Sequence, residues 1–172
     1  MTATDLRTST PTSAERNKQR MQAIYAALET GDGRPFVEAM ADDFSWEIPG
    51  RAAWSRRWSG KRAVREQLFQ PLFAQFVGTY TSRAIRYVAE GDIVVVESRG
   101  RVDTVRGEAY DNTYCCVCRF GDDGLLHELT EYMDTGLADA VLVPPPPSPP
   151  LSPLLSSPHA HPELPPNLPA QA

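Results

Sequence analysis

No apolar run in this 172-residue chain approaches the ~18 consecutive positions that a membrane helix needs. The first 20 residues are polar and contain no apolar core of the kind a signal peptide carries. These two absences make the cytoplasm the expected location and argue against a membrane partner. Positive charge is not in excess: the net charge of −5 speaks against nucleic acid, whose phosphates call for clustered Lys and Arg. Cysteine is scarce, and Cys115, Cys116 and Cys118 all fall on one expected strand, where neighbouring side chains face opposite ways. Three thiols so placed do not surround a tetrahedral metal, so buried thiols are expected and neither metal nor cofactor. Proline is sparse at first and then abundant: four of the 16 precede Val143, and 12 crowd the 29 residues from 144 to 172. Such a stretch holds neither a helix nor a central strand. Segments 1–12 and 144–172 are therefore expected to be disordered. Residues 13–143, roughly 130 of them, form one domain with one core.

Within that domain the punctuation is clear. Thr12 with Glu15 three residues on has the form of a capping box. Met21, Ile24, Tyr25 and Leu28 then share a helix face, and Gly31 stops the helix. Pro35 can open a second, shorter helix through Met40. Residues 44–48 alternate as a strand, ended by Pro49-Gly50. A basic, Trp-containing loop follows over 51–59. Val64, Leu68, Leu72 and Phe76 recur every four residues in a third helix over 61–76, with Pro71 expected to kink it. Strands are expected over 79–89, 93–104, 108–120 and 125–135, the last two joined by a turn centred on Asp122, Asp123 and Gly124. Helices segregated onto one curved antiparallel sheet make an α+β domain, with a conical cavity between sheet and helices.

The final hairpin carries the chemistry. Its second strand ends Glu131-Tyr132-Met133-Asp134-Thr135, and its alternation sets a carboxylate against the core, where an ionisable group is costly unless it has a use. Residues Tyr25–Asp32, Met40–Trp46, Pro49-Gly50 with Trp58-Ser59-Gly60, and the 107–135 hairpin occur in an order that resembles the SnoaL-like branch of the nuclear-transport-factor-2-like superfamily, over about residues 14–142. The resemblance implies a cystatin-like cone of order α-α-β-α-β-β-β-β. Relatives with this fold include ketosteroid isomerases, limonene-type epoxide hydrolases, polyketide cyclases, dehydratases and binding-only proteins. Matching their residues position by position separates these chemistries. The ketosteroid isomerase residues fall on Ile24, Ile48 and Cys116, none of which serves as the base. The epoxide hydrolase acids fall on Gly100 and Glu131, the arginine on Ser98, and the water-holding tyrosine and asparagine on Trp46 and Ile48. Only Glu131 keeps its chemistry. A slipped hairpin would bring Arg101-Val102-Asp103 inward instead, at the cost of exposing Val94 and Val96.

The resulting expectation is a mostly apolar pocket for a small apolar molecule. Glu131 and Tyr114 are its candidate catalytic residues. Trp46, Ile48, Trp54, Trp58, Val96, Ser98, Asn112, Cys116 and Met133 are its candidate lining. The carboxyl of Glu131 should titrate above its ordinary range and move a proton in isomerisation, cyclisation, dehydration or hydrolysis. The alternative is a non-catalytic ligand-binding or assembly module in which protein hydrogen bonds saturate Glu131. The charged outer sheet face, with Glu97, Arg99, Arg101 and Arg119, fits a homodimer interface.

Overall fold

The computed structural model describes residues 10–145. The disorder expected of 1–12 and 144–172 falls almost wholly outside these residues. Thr12 caps α1 (Ser13–Leu28) as its sequence implies: the Glu15 amide donates to its hydroxyl at 3.2 Å, and its own amide donates to the Glu15 carboxylate at 2.7 Å. Met21, Ile24 and Tyr25 are the buried apolar stripe of α1. At Gly31 the backbone is left-handed (φ +83°), and any Cβ there would strike Thr79, so only glycine turns the chain at this point. Pro35 then starts α2 (Arg34–Ala39).

Strand β1 (Met40–Glu47) begins four residues before the alternation suggested. The cause is a bulge between Met40 and Ser45, which puts Asp42 and Asp43 outward together and hides the period of two. The basic loop closes on a short strand, β2 (Arg57–Ser59), which pairs antiparallel with β1 and sets Trp58 opposite Trp46. Most of its charges are engaged locally: Arg57 meets Glu47 and Glu128, Arg56 lies over Trp58, Lys61 donates to the Met40 carbonyl, and Arg62 faces Glu66.

The third helix is broken rather than merely kinked. It runs as α3 (Lys61–Ala63), a π-helical turn (Val64–Phe69) and α4 (Gln70–Phe73), and Phe76 already belongs to the next strand. Pro71 has no amide hydrogen and its ring crowds the turn before it. The widened π turn immediately upstream accommodates both effects.

The remaining strands are β3 (Phe76–Glu90), β4 (Ile93–Thr104), β5 (Asn112–Phe120) and β6 (Leu126–Met133). The six strands lie in the order β2-β1-β6-β5-β4-β3, with β1 parallel to β6 and every other pairing antiparallel. The register is the unslipped one: Val94, Val96 and Ser98 are buried, and Arg101 points out toward Asp111. A C-terminal helix, α5 (Thr135–Val141), was not anticipated. Its signal was Asp134, read as a strand end. The Asp134 side chain accepts from the Leu137 amide at 3.0 Å and caps the helix. Arg106 donates to the carbonyls of Ala140 and Val141, the Ala53 amide donates to Asp139, and Gln75 exchanges two hydrogen bonds with Val143. These ties fasten α5 across the end of the cone beside the Trp54 loop.

Candidate active site in the cone

Period-two alternation on β6 turns Leu129, Glu131 and Met133 inward, and cross-strand pairing sets Glu131 opposite Cys116 on β5. Two adjoining cavities meet there. The outer chamber measures about 700 Å³ and runs from Tyr25, Phe36 and Arg65 down to Glu131. The inner recess measures about 80 Å³ and is closed by Ile48, Trp54, Leu72, Met133 and Leu142. Glu131, Tyr114, Tyr80 and Trp46 are walls of both.

Glu131 keeps part of its surface on the cavity, yet protein surrounds that cavity. Loss of water raises its pKa to about 8, and burial is the only cause. No hydrogen bond from a protein donor to its carboxylate occurs among the described residues. Beside it the hydroxyls of Tyr80, Tyr114 and Tyr110 lie close enough to shift one another's titration; Asn112 donates to the Tyr110 hydroxyl at 3.3 Å, and that hydroxyl donates to the Met133 sulfur at 3.6 Å. Burial first, and then the nearness of one another and of Glu131, holds the Tyr114 hydroxyl far above its ordinary pKa, so it remains a donor.

Several of the other walls are aromatic. Trp46 takes edge contacts from Phe36 and Phe69 at 5.7 and 5.5 Å, and Phe76 stacks between Tyr80 and Tyr110 at 5.8 Å on each side. In the outer chamber Tyr25 lies beside Ser98 and Cys116, and burial above all pushes its hydroxyl well above the ordinary tyrosine range.

The structure therefore brings Trp46, Ile48, Trp54, Ser98, Tyr114, Cys116, Glu131 and Met133 onto the walls. Three expected residues lie elsewhere. Trp58 is 2% exposed in the core, paired with Trp46 across the sheet, and Val96 is fully buried in the core. Asn112 is used up by structure: its side chain donates to the Asp134 carbonyl and accepts from the amides of Thr113 and Asp134. The sequence reading missed Tyr80, Tyr110, Phe69, Phe73 and Leu142. Alternation along β3 could have offered Tyr80 through its partnership with Ser82. Tyr110 precedes β5 in irregular chain and carries no periodic signal. His127 stands apart from the cavity, between Asp43 and Asp123 at 3.0 and 3.1 Å, and the Asp123 contact chiefly raises its pKa. No group of His, Cys, Asp and Glu among the described residues is arranged to hold a metal. Burial, reinforced by Glu131, keeps the Cys116 and Cys118 thiols protonated.

Gly100 is what admits the Tyr80 ring. A Cβ at this position would lie 2.8 Å from two ring carbons of Tyr80. Gly100→Ala should therefore displace Tyr80 and lower stability by about 1–3 kcal/mol, an overpacking cost. Thermal denaturation checks this. The same substitution in a Tyr80→Ala background should be nearly neutral, and an equal loss in both backgrounds would show that the ring is not what it strikes.

The SnoaL-like domain family matches residues 21–129, and the chain belongs to that family. No curated protein matches it. Among solved structures, Bal32a from a soil-derived mobile gene cassette is 24% identical with a TM-score of 0.66, over 77% of this chain and 100% of that one. A nuclear-transport-factor-2-like protein of unknown function from Burkholderia pseudomallei is 19% identical with a TM-score of 0.63, over 74% and 97%. TerC, co-crystallised with polyporic acid, is 21% identical with a TM-score of 0.59, over 73% and 96%. At these identities the likeness is one of fold, and the fold is the cone. Among the described residues no helix is long and apolar enough to cross a membrane.

Proposed function

We propose that this SnoaL-like protein is a cofactor-free enzyme acting on a largely apolar small molecule, with Glu131 as the group that moves a proton and Tyr114 as the donor beside it. The observation that carries this reading is the state of Glu131: a carboxyl on the cavity wall, with no protein hydrogen bond and a pKa of about 8. A structural glutamate is saturated by donors, which is why the binding-module alternative is the weaker one. The step that suits the geometry is abstraction of a proton from a carbon next to a carbonyl. The Glu131 carboxylate takes the proton, and the electron pair moves to the carbonyl oxygen. Tyr114 donates a hydrogen bond to that oxygen as its charge grows. Return of the proton to a second carbon completes an isomerisation; attack of the same electron pair on a second carbonyl, whose oxygen then takes the proton back from Glu131, completes a cyclisation.

The test needs no known substrate. Aryl and polycyclic ketones incubated in D₂O should gain deuterium next to the carbonyl. The rate should rise about tenfold per pH unit below 8 and level off above it, because only the carboxylate acts as base. Exchange no faster than buffer for every ketone that binds would leave the chain a binding module.

The reading includes a homodimer through the outer sheet face. Val88, Val95, Val117 and Thr130 form a row across β3 to β6. The row is flanked by the Arg86–Glu97 pair at 3.4 Å and the Arg119–Asp92 pair at 2.8 Å. An apolar centre with a charged rim suits a two-fold self-contact. Sedimentation should give a dimer, and a clean monomer at tens of micromolar would remove this part of the reading.

A further inference from the structure

The two cavities differ nearly ninefold in size, and Glu131 is among the walls they share. An apolar cavity of about 150 Å³ holds a benzene molecule. On that scale the inner recess takes about two or three carbons and the outer chamber a body of several fused rings. Apart from Glu131 and its tyrosines, the recess is bounded by apolar side chains, Ile48, Leu72, Met133 and Leu142 among them. The Leu142 wall is fixed rather than soft: Leu142 directly follows α5, which Arg106 and Ala53 tie to other parts of the fold, and its neighbour Val143 is bonded to Gln75. The outer chamber is different in kind. It opens between α2 and the π-helical turn, carries Ser98 and Tyr25 on one wall, and has Arg65 at its rim.

We propose that the substrate is two-lobed: a short alkyl arm seated in the inner recess, a larger ring body in the outer chamber, and the reacting carbon between them at Glu131. The placement of the reacting carbon rests on the proton-transfer reading, whereas the two-lobed shape rests on the cavities alone. The small volume and the fixed Leu142 wall make arm length the selected property. Each methylene that fits should add affinity, and the first that does not should meet Leu142.

A series of 6-alkyl-2-naphthols, from methyl to hexyl, measures this by isothermal titration calorimetry on the full chain. Affinity should rise about three- to fourfold per methylene, the usual value of a buried CH₂, until about propyl, and then stop rising or fall. In Leu142→Ala the break should move to an arm one or two carbons longer. Leu142 is a core residue, so Leu72→Ala, at another lining residue and only partly buried, provides a second enlargement should the first fail to fold. Phe36→Ala, in the outer chamber, should leave the break where it is. A smooth rise through hexyl, a break that ignores both enlargements, or no binding by any member would overturn the proposal. The break should persist in Glu131→Gln. Absence of deuterium exchange with the break intact would therefore remove the proton-transfer reading alone, and loss of the break with exchange intact would remove the two-lobed substrate alone.

Discussion

Glu131→Gln is expected to lower turnover about 10²–10⁴-fold, the span usually lost with a general acid or base. The amide keeps the shape and volume of the carboxyl, so the cavity and its aromatic walls should be undisturbed. What disappears is the only ionisable group among the inward residues of β6. The pH profile sharpens the result. The wild-type rate should follow deprotonation of a group near 8, and the residual rate of the variant should lack that inflection. Tyr114→Phe should cost less and leave the inflection in place, because Tyr114 donates a hydrogen bond without exchanging the proton. A fully folded Glu131→Gln protein with unchanged turnover would rule out the catalytic assignment.

The same substitution should raise stability where the wild type is weakest. The pKa of Glu131 is about 8 in the folded chain against an ordinary 4.5, so between these values the folded state binds the proton and the unfolded state releases it. Its contribution is thus fully present below pH 4.5 and is lost as pH rises through 8. The loss is of order 3–5 kcal/mol. Glutamine carries no proton to lose. The two proteins should unfold alike near pH 4.5, and by pH 9 the variant should be the more stable by about that amount. Urea denaturation at both pH values measures the difference. Parallel stability curves across this range would mean that water or a protein donor reaches the carboxylate after all.

These two outcomes share one cause, the absence of any protein hydrogen bond to a carboxyl on the walls shared with Trp46, Tyr80 and Met133. A site that is poor for stability and good for proton transfer is the usual form of that exchange. Measured together on one variant, activity and stability separate the catalytic glutamate from a structural one. A structural glutamate would lose stability on substitution and merely weaken ligand binding.

Much of this was legible in the sequence because much of it is local. The capping box at Thr12, the stripe on α1, Pro35 at the start of α2 and the alternation of β4 to β6 follow from periodicity and backbone chemistry over a few residues. Together they turn Glu131 and Tyr114 inward. The register came with them, since a slip would have exposed Val94 and Val96 to water. Other features depended on contacts made from a distance. The bulge in β1 breaks the very period by which a strand is recognised, and the π turn answers a crowding that Pro71 creates only inside a packed helix. Asn112 lies on the inner face as alternation requires, but the nearby Asp134 backbone consumes its amide. Trp58 is buried too, beside Trp46 across the β1–β2 pair, yet it does not reach the cavity. Tyr80 joins Tyr114 only because Gly100, twenty residues away along the chain, has no side chain. Sequence pattern alone determined which face each residue takes. Tertiary packing decided which inward residues reach the cavity, and how its space divides into chamber and recess, because burial and access depend on neighbours that the chain brings together only when folded.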